Sequence, residues 1–479
     1  MSVISKLISL GAAGASGGDS YWIAFDGLRN SSPTLSQKYI KALAVDGDDN
    51  IYVGGEYTTG GTSQQVFKFD NEGSRITGGG WSVPSGYTGS ALCNIKYSPL
   101  NHKIAAGMQT MRGSSWSPWD YTQGAFITAM SANNLSTFTT YRFTGKEDYD
   151  GSIGFFHRDG VANAAVMHPT IANLNYGLVM SNSVMYITCT NLSYLFGGSP
   201  VQLSTQGMPL GGLAISNDGS KVYAVYTSYG SYGGSGNRYG FCISAISTTS
   251  ATHVARYAMY PPSGTNNNGT MSVGDVKVDA NGNVYTLFMS NNFPSGSSQV
   301  FVMKFNSSLS LQWRKRIVIS NLHSLTADRY QPGIAVDGSG NVYVAHVDGS
   351  ADCLTKLDSN GNLEWCLKTT TSTNGYTNVE VNSKGTPIWA LRENIAKIPP
   401  DGSLSGSYAC GGGRTFTFSD NTSNISVDTS TNTFLAISTL SSINGLITPI
   451  SWSAENTRAG QIRTGSVTGS ISENLVTLP

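Results

Sequence analysis

Residues 278–285 read VDANGNVY, residues 336–343 read VDGSGNVY and residues 45–52 read VDGDDNIY. Each copy leaves an apolar strand end, passes through a tight polar turn and enters a second apolar strand. The residue types have a physical reason. An Asp at the head of such a turn can cap the backbone N–H groups that follow it, Gly supplies a positive φ, and the Asn beyond it tolerates the same region or bonds back to the loop. Val and Tyr then resume a strand, where β-branched and aromatic side chains pack well. A second phrase follows two of the copies, KFDNEG at 68–73 and KLDSNG at 356–361, and KFNSSLSLQW at 304–313 follows the third. Behind these turns come strands that carry Trp, in LQWRKRI and LEWCLKT. Repetition at such a period marks stacked or radial β units.

Aligned on first strand, turn and second strand, clear units lie at Asp46, Asn217, Asp279 and Asp337, and weaker ones at Ser98, Asp159, Asn382 and Asp428. Their spacing runs from 45 to 62 residues, somewhat above the ~40–50 residues typical of four-stranded propeller blades. The excess is assigned to loops such as 111–124, 227–240 and 260–270. Four antiparallel strands per unit, repeated, make an all-β fold, a β-propeller. Eight unit starts predict eight blades, with seven as the alternative because the units at 92–107 and 153–167 are degenerate. YWIAFDG at 21–27 reads as an orphan fourth strand, with Trp22 placed like Trp313 and Trp365. It is expected to close the ring and to partner the last unit, near Asp428. Residues 1–20 then form a leader and residues 21–479 the propeller domain.

Only 12% of the 479 residues are charged, and Lys+Arg and Asp+Glu balance at 29 each. Such a surface has no electrostatic footprint for nucleic acid or anionic lipid. The hydrophobic fraction of 39% is enough to fill a core. No run is long enough to span a membrane. None of the six cysteines (Cys93, Cys189, Cys242, Cys353, Cys366 and Cys410) forms a C-x-x-C pair. Cys353 and Cys366 fall on the strands flanking KLDSNG, where they are placed to face each other; buried reduced thiols are expected. In MSVISKLISLGAAGASGG, Val3, Ile4, Leu7, Ile8 and Leu10 fit one face of a short helix. A docking peptide tethered by Gly11–Gly18 is expected, with a cleaved secretory leader as the competing reading.

The chemical motifs are weak. DANGN and DSNGN share a D-x-N-x-N pattern with calcium loops, but Gly282 and Gly361 stand fourth rather than sixth and Ser290 occupies the twelfth position. GASGG at 14–18 satisfies G-x-S-x-G without the strand and helix that a nucleophile elbow needs. His102, His157, His168, His253, His323 and His346 show no metal-ligand spacing. Glu147, Asp148 and Asp150 share one surface loop, whereas a propeller glycosidase would draw carboxylates from several blades around its funnel. No catalytic residue, metal or cofactor is predicted. The loops WSPWDYTQG at 116–124, YTSYGSYGGSGNRYG at 226–240 and YPPSGTNNNGT at 260–270 combine aromatic faces with amides and hydroxyls. Trp116, Trp119, Tyr121, Tyr229, Tyr232 and Tyr239 are therefore candidate contact residues for sugars or proteins.

The phrases aVDxxGNvYv and KfDxxGxlxW resemble the seven-bladed β-propeller repeat family known as SBBP. The opening MSVISKLISLGAAGASGGDSYWIA resembles the N-termini of virion structural proteins of tailed phages, particularly marine and cyanobacterial ones. Together they imply a virion protein, most readily a tail component: an adhesin, fibre-associated or nozzle-like part. Other virion proteins would be partners through the leader, a host surface glycan or protein a partner through the loops, and several copies would sit in a symmetric assembly. The repeat motifs carry no catalytic residue. A polysaccharide-degrading tail enzyme and a secreted bacterial binding propeller are the alternatives.

Overall fold

A computed structural model of the chain describes residues 20–25, 40–59, 61–82, 89–111, 125–135, 138–143, 161–172, 174–181, 184–189, 201–203, 211–231, 237–260, 271–290, 299–318, 332–348, 351–369, 377–391, 394–410, 414–429, 435–437, 454–455 and 475–478. Among them the only helical element is one 3-10 turn, Thr422–Asn424; the rest of the regular structure is strand.

The molecule is a seven-bladed β-propeller. The innermost strands are Ile40–Val45, Gly89–Ser98, Val161–Met167, Gly211–Ile215, Met271–Val278, Gly333–Val336 and Thr377–Val381, in blades 1 to 7. Each begins an antiparallel meander, as Met271–Val278, Val284–Ser290, Gln299–Phe305 and Leu311–Val318 do in blade 5. Each innermost strand touches the next, and that of blade 7 touches that of blade 1, so the ring is closed. The core lies in layers between neighbouring sheets. Phe241, Phe288 and Phe301, for example, stack in the layer between blades 4 and 5.

The expectation of eight blades is corrected to seven. Of the weak units, the one at Ser98 falls in blade 2; Asp159 lies outside the described residues, and Val161–Met167, read as the strand after its turn, is the innermost strand of blade 3. The unit at Asp428 is the one that fails. Its strands, Ser426–Thr429 and Leu435–Ile437, do not pair with each other; they add singly to the outer edges of blades 5 and 4. Local turn chemistry without a following hairpin explains the misreading.

The strand Tyr21–Phe25 does close the ring, but its partner is Asn394–Lys397 of blade 7 and not the Asp428 unit. Blade 7 therefore takes three strands from residues 377–397 and its fourth from the N-terminal end. The assignment of 227–240 to a loop is likewise corrected. The strands Lys221–Ser231 and Asn237–Ser247 extend into it, and Tyr229 and Tyr239 are Cα partners across them.

The turns behave as their residues dictate. Asp279 Oδ1 accepts from the N–H groups of Asn281 and Asn283 at 2.9 and 2.8 Å. Its Oδ2 accepts from the Asn283 amide at 2.8 Å and the Tyr285 hydroxyl at 3.0 Å. Asp46, Asp337 and Asp358 accept from the backbone N–H four residues on in the same way, and Asn382 takes that place in blade 7. These groups act as turn caps. In blade 3 the head of the turn is His168, whose Nδ1 accepts the N–H groups of Thr170 and Ile171 at 3.1 and 3.0 Å.

The Lys and Trp of the second phrase join blades. Trp365 Nε1 and Lys356 Nζ of blade 6 both donate to the Pro400 carbonyl beyond blade 7, at 3.1 and 3.2 Å. Trp313 of blade 5 donates to Ser359 of blade 6 at 3.1 Å. The turn glycine beneath each Trp is needed twice over. Gly402 has φ +71°, and a Cβ there would stand 2.6 Å from the Trp365 ring.

Candidate functional site

Two positions on each innermost strand are equivalent from blade to blade. Two residues before the head of each turn stand Ala44, Lys96, Val166, Ala214, Lys277, Ala335 and Glu380. Four residues before it stand Ala42, Asn94, Ala164, Gly212, Asp275, Gly333 and Asn378. Blades 2, 5 and 7 thus contribute every charged or amide side chain, and the other four blades contribute small or apolar residues.

The charged side chains meet across the channel. Lys96 of blade 2 pairs with Asp275 of blade 5. Lys277 pairs with Glu380 of blade 7 and lies 3.5 Å from Asp275. The network is neutral, with two lysines and two carboxylates, and its side chains are largely buried. The small residues make room for it. A Cβ on Gly212 would stand 2.7 Å from Asp275 Oδ1, and one on Gly333 would stand 2.8 Å from Asn378 Oδ1.

Burial works against every charge here, and pairing decides the outcome. Burial prevails at Lys96, whose pKa is lowered although Asp275 opposes the shift. At Asp275 burial is outweighed by Lys96 and Lys277, which hold the carboxyl below its ordinary value. At Lys277, Glu380 and Asp275 outweigh burial and raise the pKa. Perturbed groups of this kind in a channel mark a candidate site. Structural ion-pair networks perturb pKa values in the same way, and here each carboxylate is matched by a lysine of the ring itself.

The strand directions give the ring two unlike faces. One carries the tight Asp and Asn turns. From the other leave the connections between second and third strands and the connections between blades. The connections after Met111 (blade 2), Ser231 (blade 4) and Tyr260 (blade 4 to blade 5) all start on that second face. The candidates Trp116, Trp119, Tyr121 and Tyr232 belong to these connections and lie outside the described residues, as do Val3, Ile4, Leu7, Ile8 and Leu10. Tyr229 and Tyr239 are placed by their backbone alone. Glu147, Asp148, Asp150, His157 and His323 also lie outside the described residues.

His102 Nδ1 lies 2.9 Å from the Tyr97 hydroxyl, and the buried His346 Nε2 lies 2.8 Å from Thr355 Oγ1. Among the described residues no group of His, Cys, Asp and Glu is placed to hold a metal. Cys189, Cys242, Cys353 and Cys366 are buried. Cys353 and Cys366 are diagonal neighbours, standing opposite Lys368 and Thr355 respectively. Among the described residues no helix is long and apolar enough to cross a membrane, a statement that does not bear on β-barrels.

Sequence reasoning did not find Lys96, Asp275, Lys277 and Glu380. A signal was present: in the aligned repeats, IKYS, VKVD and VEVN place a charge where ALAVD and GIAVD have Ala.

No family model matches the chain, and no curated protein matches it. Among solved structures it is similar to a protein from Lactobacillus plantarum, at 12% identity and a TM-score of 0.43, over 74% of this chain and 97% of that one. It is also similar to a polysaccharide lyase of family PL25, an ulvan lyase, at 8% identity and a TM-score of 0.36, over 77% and 95%. The N-terminal domain of Nup159 matches at 11% identity and a TM-score of 0.36, over 80% and 96%. At these values none of them carries an argument about what this chain does.

Proposed function

We propose that the chain is a virion structural protein of a tailed phage, a tail component whose propeller is a rigid frame for display. The leader docks it to other virion proteins. Loops on the face opposite the Asp turns meet neighbours or a host surface glycan or protein, with Trp116, Trp119, Tyr121, Tyr229, Tyr232 and Tyr239 as contact residues. The observation that supports the frame reading is the use of charge in the channel. Asp275 and Glu380 spend their charge on lysines of the ring, which ties blades 2, 5 and 7 together. The same network crosses the channel of the single chain, so any conduit in a nozzle-like part would run between copies. Cross-linking mass spectrometry on assembled particles tests the reading. Links from residues 1–20 to another virion protein are expected; a protein missing from purified particles would refute it.

A glycan depolymerase is the second reading, because Asp275 and Glu380 come from different blades and converge on the channel. Incubation with host polysaccharide and an end-group assay separates the two. Cleavage abolished by D275N or E380Q, in proteins that remain folded, would replace display with catalysis.

A further inference from the structure

The strands described beyond blade 7 lie at the outside of the ring and meet the blades in the reverse of their order. Arg414–Asp420, the second strand of a hairpin with Gly406–Cys410, pairs with the outer strand of blade 6. Ser426–Thr429 pairs with the outer strand of blade 5 and Leu435–Ile437 with that of blade 4. Ala454–Glu455 pairs with the outer strand of blade 2. Leu475–Leu478 pairs with Tyr21–Phe25, the closure strand of blade 7. The described strands thus visit blades 6, 5, 4, 2 and 7, in one direction round the circumference.

We propose that this region is a strap laid over a finished ring, and that its last strand is the latch that holds the ring shut. Every strap strand adds to an outer edge, so each needs its blade already formed. The root of the strap is firmly attached. Phe416 and Phe418 pack in the core beside Trp365 and Trp389. Asn421 donates its N–H to the Cys366 carbonyl at 2.8 Å, and Cys366 donates its N–H to Thr422 Oγ1 at 2.9 Å. At blade 5, Arg316 Nε donates to Asp428 at 2.9 and 3.1 Å, and a charge-assisted fork of this kind fixes position as well as adding energy.

The end of the strap acts on the weakest link. Every other blade is a continuous stretch of chain, whereas blade 7 is completed by a strand joined to it only through hydrogen bonds and packing. Without the latch, Tyr21–Phe25 would be an edge strand held on one side by Asn394–Lys397. With it, Trp22 stands between Lys397 and Thr477, and Ile23 between Ala396 and Val476. A strand paired on both sides opens less readily than an edge strand. The N-terminal strand is therefore clamped by the last residues of the chain, whatever the ring displays.

Hydrogen exchange followed by mass spectrometry tests the latch, on full-length protein, on a chain ending at Asn474 and on full-length V476P. In both variants, amides of residues 21–25 are expected to exchange about tenfold faster, while those of 271–278 in blade 5 keep their rates. Unchanged exchange at 21–25 would overturn the proposal. Equal acceleration in every blade would also overturn it, since the last strand would then belong to the global core. If the shortened chain does not fold, V476P alone decides.

Discussion

Lys397 and Trp22 stand opposite each other across the third and fourth strands of blade 7, and both donate to one acceptor, the Asn71 carbonyl of blade 1, at 3.1 and 3.0 Å. Lys356 and Trp365 hold the same relation in blade 6, with Pro400 as the shared acceptor. Ring closure therefore reuses the ordinary blade joint, although its two donors lie at opposite ends of the propeller's blade-forming sequence.

Trp22 is the test of that joint. It is fully buried, and truncating a buried Trp costs about 3–5 kcal/mol. W22A is expected to lower the urea midpoint by a corresponding amount. W22F keeps much of the packing and loses the hydrogen bond to Asn71, for about 1 kcal/mol. A W22F variant with the urea midpoint of the parent protein would show that the shared acceptor contributes little.

The turn glycines separate conformational need from tolerance. G402A meets both a positive φ and the Trp365 ring, and a destabilisation of at least about 1 kcal/mol is expected. Gly338 has nothing within 4 Å of a built Cβ and no positive φ. G338A is expected to be neutral or to stabilise by up to about 1 kcal/mol. Thermal melts of the two variants side by side check the contrast.

The channel network predicts strong coupling. D275N leaves Lys96 and Lys277 facing a neutral amide, and breaking a buried pair costs about 3–5 kcal/mol. K96M removes the other partner at similar cost, and the double variant K96M/D275N is expected to cost less than the sum of the two. Additive losses in a urea double-mutant cycle would show that the pair is not coupled.

Stability falls on the acid side in two steps. His168 is held below its ordinary value by burial, against the pull of Gly219 and Asp218. The folded state thus binds fewer protons than the unfolded one, and stability is lost as pH falls below about 6.5 towards the lowered value. At Asp46 burial favours the neutral acid, but hydrogen bonds from Asn50, Tyr52 and Asp48 outweigh it and hold the pKa down. Its contribution is present above about 3.9 and is lost as pH falls through the folded value. H168N, which places in blade 3 the residue type that Asn382 supplies in blade 7, is expected to flatten the first step and leave the second. Urea midpoints between pH 8 and pH 3 measure both, and an unchanged first step would exclude His168 as its source.

How much could be read from the chain follows from the range of the interactions. VDANGNVY carries its own turn: Asp279, Gly282, Asn283 and Tyr285 lie within seven residues and bond to each other. Short-range chemistry of this kind made the four-stranded repeat, the propeller and the orphan Trp22 strand legible. The same locality misled at Asp428, where a turn-like phrase has no hairpin around it and its strands are claimed by blades 4 and 5.

By itself, then, the sequence determined the blade, because each blade is built from neighbours in the chain. Only the tertiary structure decided the number of blades, the partner of Tyr21–Phe25, the retrograde strap and the meeting of Lys96, Asp275, Lys277 and Glu380. Those features join residues separated by between 103 and 179 positions in the channel pairs and by 326 positions at the Lys397–Asn71 joint. A local pattern holds no record of such distances; they are set by the angle at which successive twisted sheets pack until the ring closes.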